Sequence, residues 1–168
     1  MNQALAHSES GVTDAHQSQA HTDDFTPPVV VVEHVFEHDI DTTWGRLGRF
    51  GGIAEWQSLV AGCHVEERYN GIYRVVSLHD GTAFTERLES YSHADRCFSY
   101  SILSGPLPVT DYVTHLRFSP LGRNRSRLVW RTWYTVPSGG DPVAIAQSLE
   151  AMFRNGIVGM SRLLESTR

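Results

Sequence analysis

Residues 141–164 read DPVAIAQSLEAMFRNGIVGMSRLL. Asp141 ahead of Pro142 is a helix start. The carboxylate accepts from the first free backbone N–H groups, and proline tolerates the first helical position. From there Ile145, Leu149, Met152, Phe153, Gly156, Ile157, Met160, Leu163 and Leu164 recur at helical spacing. The spacing predicts one long helix, reaching about Leu164, with a wide apolar stripe. A stripe of that width must be buried. Gly156 and Gly159 lie inside the helix, where glycine costs about 1 kcal/mol against alanine. The room they leave suits either Trp130 or a bound molecule.

The cover for the stripe lies upstream. Leu59 to Pro137 reads as strands at 59–68, 71–79, 82–91, 95–103, 109–119 and 126–137. Between them stand Asn70-Gly71, Asp80-Gly81, Ser92 to Asp95, Gly105 to Pro108 and Leu121 to Asn124, all suited to turns. Short turns between consecutive strands make an antiparallel meander. Before it, Val29 to Glu37 is β-branched and then alternating, a first strand. Asp39 to Thr43 signals a helix start. Trp44, Leu47 and Phe50 fit one face of a short helix, and Ile53 to Trp56 forms a second helical turn. The expected class is α+β: a curved, seven-stranded antiparallel sheet wrapped around the long C-terminal helix, with two short helices after the first strand.

Residues 1–26 differ in kind, being rich in Ser, Gln, His, Ala, Asp and Thr. Such a segment buries too little surface to offset its ordering entropy, so a disordered tail is expected there, with one domain over 27–168. The chain has 168 residues, 40% of them hydrophobic, and a net charge of −5. That suits one globular domain and gives no basic stripe for nucleic acid. The cluster Arg123, Arg125, Arg127 and Arg131 begins in a turn and reads as a solvated hairpin tip. Cys63 and Cys97 form no CxxC pair and read as small buried residues. No apolar run has membrane length and no secretory leader is visible, so a cytoplasmic protein without membrane insertion is expected. No Gly-rich phosphate loop, nucleophile elbow or metal-ligand spacing occurs. No cofactor and no metal are expected.

Alternation assigns side chains to the face under the helix. These are Ile72, Arg74, Val76 and Leu78; Phe84, Glu86 and Leu88; Phe98, Tyr100 and Ile102; Tyr112, Thr114, Leu116 and Phe118; and Leu128, Trp130, Thr132, Tyr134 and Val136. Arg74 and Glu86 are the charged exceptions. A three-residue loop His79-Asp80-Gly81 sets Val76 opposite Phe84 and Arg74 opposite Glu86. A two-residue loop would set Arg74 beside Arg87, like charge on like. The pair reads either as a structural pin in the sheet or as polar groups turned to a ligand.

The order of elements resembles the START-like superfamily, also called SRPBCC, which includes the birch-pollen-allergen fold. The likeness is strongest to its bacterial polyketide cyclase/dehydrase branch. It rests on Trp44 with Gly51-Gly52-Ile53 and Trp56; Gly71 to Arg74; Leu78 to Gly81; Glu86-Arg87-Leu88; Phe98 to Ile102; Gly105 to Val109 with Asp111-Tyr112; and Trp130. It runs from about Val29 to Leu164. The resemblance implies a helix-grip fold around a ligand cavity. Members include aromatase/cyclases, lyases, lipid carriers and hormone receptors, so it implies a pocket rather than one reaction. No single catalytic motif carries over.

The candidates follow from that cavity. Glu86, Arg74, Tyr100 and Tyr112 are candidates for acid-base chemistry. Phe84, Leu88, Phe98, Thr114, Leu116, Trp130, Tyr134, Met152, Phe153, Gly156 and Met160 are expected to contact the ligand. Trp44 and Trp56 pack the short helices at the rim, or one of them gates the entrance. The expected partner is a small hydrophobic or aromatic molecule, in a monomer or homodimer. The protein then either promotes a cyclisation, dehydration or other acid-base step, or carries or senses its ligand without chemistry. A third reading is a cofactor-free partner protein whose tail docks elsewhere.

Overall fold

The computed structural model describes residues 29–166. The expected tail therefore lies outside the described residues. The elements run β1 (Val30–Phe36), α1 (Ile40–Leu47), a 3-10 helix (Phe50–Glu55), β2 (Val60–Arg68), β3 (Gly71–Leu78), β4 (Ala83–Ser92), β5 (Cys97–Ser104), β6 (Thr110–Pro120), β7 (Ser126–Thr135) and α2 (Pro142–Glu165). The seven strands form one antiparallel sheet in the order β1-β7-β6-β5-β4-β3-β2. This is the helix-grip architecture expected from the sequence.

Local chemistry sets the helix starts. The Asp141 carboxylate accepts from Val143 N at 3.0 Å and Ala144 N at 3.1 Å. Asp39 caps α1 in the same way, through Asp41 N at 3.0 Å and Thr42 N at 2.9 Å. Several boundaries shift by one to three residues from expectation, and two of the shifts have a clear local cause. Gly48 caps α1, so Phe50 opens the 3-10 helix instead of extending the first. The fifth strand starts at Cys97, not 95, because Arg96 takes a left-handed conformation at φ 51° in the preceding turn.

The β3–β4 hairpin has the three-residue loop. Leu78 N donates to Thr82 O at 2.8 Å, Gly81 sits at φ +87°, and the register pairs Arg74 with Glu86 and Val76 with Phe84. Elsewhere the sheet curves through bulges. The register slips by one residue at Ala61 in β2, Glu89 in β4, Leu103 in β5 and the Asp111-Tyr112 step in β6. Each extra residue bends its strand and increases local twist. The concave face closes on α2, whose Leu149, Phe153, Gly156, Ile157, Met160 and Leu164 are buried. Phe153 stacks on Trp130 with ring centroids 4.3 Å apart, joining α2 to the sheet. Among the described residues, no helix is long and apolar enough to cross a membrane. Cys63 and Cys97 are free and only half-buried, so they are less enclosed than expected.

Candidate functional site

Between α2 and the concave sheet lies a cavity of about 90 Å³. The sheet supplies Val60, Val76, Leu78, Phe84, Glu86, Tyr100, Ile102, Tyr112 and Trp130; α2 supplies Met152 and Phe153. Ile53, Trp56, Gln57 and Leu59 close one side, and Leu107 reaches in from the β5–β6 loop. Gly105 lets that loop approach, since a Cβ there would sit 2.3 Å from the Phe84 ring. A second hollow, a broader surface groove, runs between Val29, Val31, Val143 and Glu150. It is open to solvent, and its Glu150 already pairs with Arg154.

Glu86 is the cavity's one acidic or basic side chain. It comes from the centre of β4 and accepts a hydrogen bond from Arg74 Nε. Burial pushes its carboxyl above the ordinary glutamate value, and the Arg74 charge pulls in the opposite direction without cancelling the rise. Arg74 is 1% exposed. Its guanidinium lies 4.4 Å from the Phe50 ring centroid and 4.5 Å from that of Tyr100, and it donates to the Phe50 carbonyl. Burial opposes its charge, but Glu86, with help from Tyr100, raises it overall and keeps it protonated. Arg74 therefore stands behind Glu86, outside the lining. Its placement is that of a pin between β3, β4 and the 3-10 helix.

Tyr112 lies on the Thr114 face of β6 and is buried, beside the bulge where Asp111 sits at φ 54°. Burial raises the Tyr112 phenol, and the Thr132 and Thr114 hydroxyls beside it oppose the rise. Tyr100 is raised well above an ordinary tyrosine by burial, with the Glu86 charge adding to it. Both phenols are therefore neutral O–H donors at neutral pH. The floor under them is a hydroxyl network. Trp130 Nε1 donates to Thr114 Oγ1 at 2.8 Å, and Thr114 and Thr132 share a hydrogen bond at 2.8 Å.

Glu86, Tyr100, Tyr112, Phe84 and Trp130 from the sheet thus meet Met152 and Phe153 from α2 at one cavity. The other candidates do not reach it. Thr114 is tied into the hydroxyl network. Phe98 packs with Trp44 at 6.5 Å and Leu116 faces Phe98 across the strands, at an end of the core that Trp44 and Phe118 fill. Leu88 pairs with Tyr100 outside the lining, Met160 is sealed in the core, and the buried Tyr134 hydroxyl has no protein partner. Gly156 makes room for neither Trp130 nor a ligand. A Cβ there would meet Gln57 Nε2 and Trp56 at 3.1 Å, and one at Gly159 would lie 1.6 Å from the Trp56 carbonyl oxygen. Trp56 is accordingly no rim residue but part of the wall, edge-on to Trp130 at 6.0 Å. Sequence reasoning missed Gln57, Leu59 and Val60, which follow the 3-10 helix without any period. It placed Val76, Leu78 and Ile102 on the right face but not at the site. The Gly-Pro-Leu-Pro run was the available signal for Leu107. Among the described residues no group of three or more His, Cys, Asp or Glu side chains is arranged to hold a metal ion.

Known proteins share this fold. Residues 27–165 match the model of a family described as polyketide cyclase/dehydrase and lipid transport. The abscisic acid receptor PYL6 of Arabidopsis thaliana is 30% identical over 149 residues, which cover 82% of this chain and 69% of the receptor. The Zhui aromatase/cyclase from Streptomyces sp. R1128 superposes with a TM-score of 0.61 at 20% identity, covering 80% of this chain and 90% of that one. Norcoclaurine synthase from Thalictrum flavum, crystallised with dopamine and hydroxybenzaldehyde, superposes with a TM-score of 0.65 at 16% identity, covering 83% and 87%. At those identities the two structures speak for the fold. The sequence matches speak for descent, and by them the chain belongs to the polyketide cyclase/dehydrase and lipid transport family.

Proposed function

We propose that this chain takes a small apolar or aromatic molecule into the cavity and that Glu86 exchanges a proton with it in a cyclisation, dehydration or related step. The observation that carries the reading is a single buried carboxylate in the wall of an otherwise apolar cavity. Burial moves the Glu86 carboxyl upward, toward the range where a group both gives and takes a proton near neutral pH. Tyr100 and Tyr112 add neutral donors that orient a ring or steady a developing negative charge. Holding a reactive molecule in one pose supplies rate through orientation. The family description and the relatives named above support a small-molecule site of this kind.

Size narrows the ligand. The cavity, about 90 Å³, is smaller than the roughly 150 Å³ engineered cavity that takes benzene. It is well under the roughly 300–1,000 Å³ of drug-sized pockets. A single ring enters with small side-chain shifts. A polycyclic guest requires Leu107 and Met152 to swing aside.

A second reading, a carrier or sensor without chemistry, is favoured by the Arg74 bond to Glu86, which occupies one carboxylate oxygen. The test for both is a titration of phenols and hydrophobic fluorophores against tryptophan emission, in the native chain, Ile102→Phe and Glu86→Gln. Saturable binding that Ile102→Phe abolishes supports the cavity. For a compound that is also converted, Glu86→Gln should stop turnover while leaving affinity within about tenfold. Turnover that survives removes Glu86 from the chemistry. Binding without conversion of any compound supports the carrier.

A further inference from the structure

Two residues that line the cavity each carry a polar atom with no hydrogen-bond partner in the protein. Trp56 is 6% exposed and Gln57 is 7% exposed, and both line the cavity. Trp56 Nε1, a donor, and Gln57 Oε1, an acceptor, are buried without a hydrogen-bond partner in the protein. Such groups are costly to leave unpaired, and buried polar atoms nearly always find a partner.

The orientation of each is fixed by its other contacts. Gln57 Nε2 lies 3.2 Å from the Met152 carbonyl oxygen, which only accepts. The amide nitrogen must therefore face α2, and Oε1 turns away from it. The Trp56 indole sets its Cε3–Cζ3 edge against Gly156. Nε1 is on the opposite edge of the ring, so it too turns from α2. Neighbours in sequence thus hold a free donor and a free acceptor, both turned away from α2, on two residues that line the cavity.

We infer that these two atoms recognise a hydroxyl group on the ligand. A hydroxyl oxygen accepts from Trp56 Nε1–H and its proton goes to Gln57 Oε1. A carboxylate satisfies only Trp56, and it would meet both Gln57 Oε1 and the Glu86 charge. The favoured class is a neutral hydroxylated ring, a phenol or cyclic alcohol of about one ring in size. This inference rests on the proposed cavity binding and adds the head group that sets its specificity.

Phenol and toluene have nearly the same shape and differ in the one group at issue. Calorimetric titration of each into the native chain and into Gln57→Leu measures the contribution of that group, with toluene as the control for an intact cavity. The expected result is a fall of about tenfold in the affinity for phenol relative to toluene in the variant, the loss of one neutral hydrogen bond plus a stranded donor. Benzoate is expected not to bind at neutral pH. If Gln57→Leu fails to fold, Trp56→Phe removes the other partner and should lower the same ratio. An unchanged ratio in the folded variant, or benzoate binding more tightly than phenol, overturns the inference while leaving cavity binding intact. If neither phenol nor toluene binds the native chain, the cavity reading fails first, and this one with it.

Discussion

Arg74 is clamped between the rings of Phe50 and Tyr100, and its nearest anion is Glu86. Removing one partner of such a pair strands a buried charge and typically costs about 3–5 kcal/mol. In a double-mutant cycle of Arg74→Met and Glu86→Gln by urea unfolding, a coupling of about 0.5–3 kcal/mol is expected, as for residues in one network. Additive losses would contradict the pairing. The pair also has a pH signature. Glu86 is raised in the folded state, so the native protein binds more protons than the unfolded chain between the ordinary glutamate range and the folded value. Stability from this group is full below the ordinary range, falls as pH rises through the folded value, and is flat above it. The native chain should therefore lose stability relative to Glu86→Gln as pH rises across that window. A relative gain would mean that Arg74, not burial, controls the carboxyl. The pairing was legible in the sequence, because one turn residue and a like-charge clash fix the register. Depth was not, since it depends on Phe50 and Tyr100 closing over the guanidinium.

At the scale of elements, α2 was legible down to its cap, because helical period and Asp141-Pro142 act locally. Its glycines were not, since what fills the space beside a helix is a tertiary matter. Here the space is taken by the segment after the 3-10 helix: Gly159 meets the Trp56 backbone and Gly156 meets the Trp56 and Gln57 side chains. Gly159→Ala should therefore cost at least the roughly 1–3 kcal/mol of overpacking, despite the better helix propensity of alanine. A stabilised Gly159→Ala in thermal melts would show that α2 does not rest on Trp56. Phe153→Ala, which removes the partner of Trp130, should cost about 3–5 kcal/mol. A loss under about 1 kcal/mol would mean that the helix stripe is not the seal of the core. The bulges explain the remaining misplacements. Alternation gives a face but not a position along it. The slips in β4, β5 and β6 decide which inward residues border the space and which pack solidly under Trp44.

For the molecule as a whole, the fold is a lid and a grip whose interior is packed at one end and left open at the other. Trp44, Phe98 and Phe118 fill the first, while Trp56, Trp130 and Phe153 border the second. An apolar space bordered by one carboxylate and two phenols makes little contribution to stability, which is why a binding role fits it better than packing alone. The direct check is isotope-edited NMR of the native chain saturated with toluene. Ligand contacts should appear at the Met152, Val76 and Ile102 methyl groups and at the Trp130 ring, and be absent at Val29, Val31 and Val143 on the surface groove. Contacts confined to the groove, or none at any of these groups, would contradict an internal ligand site.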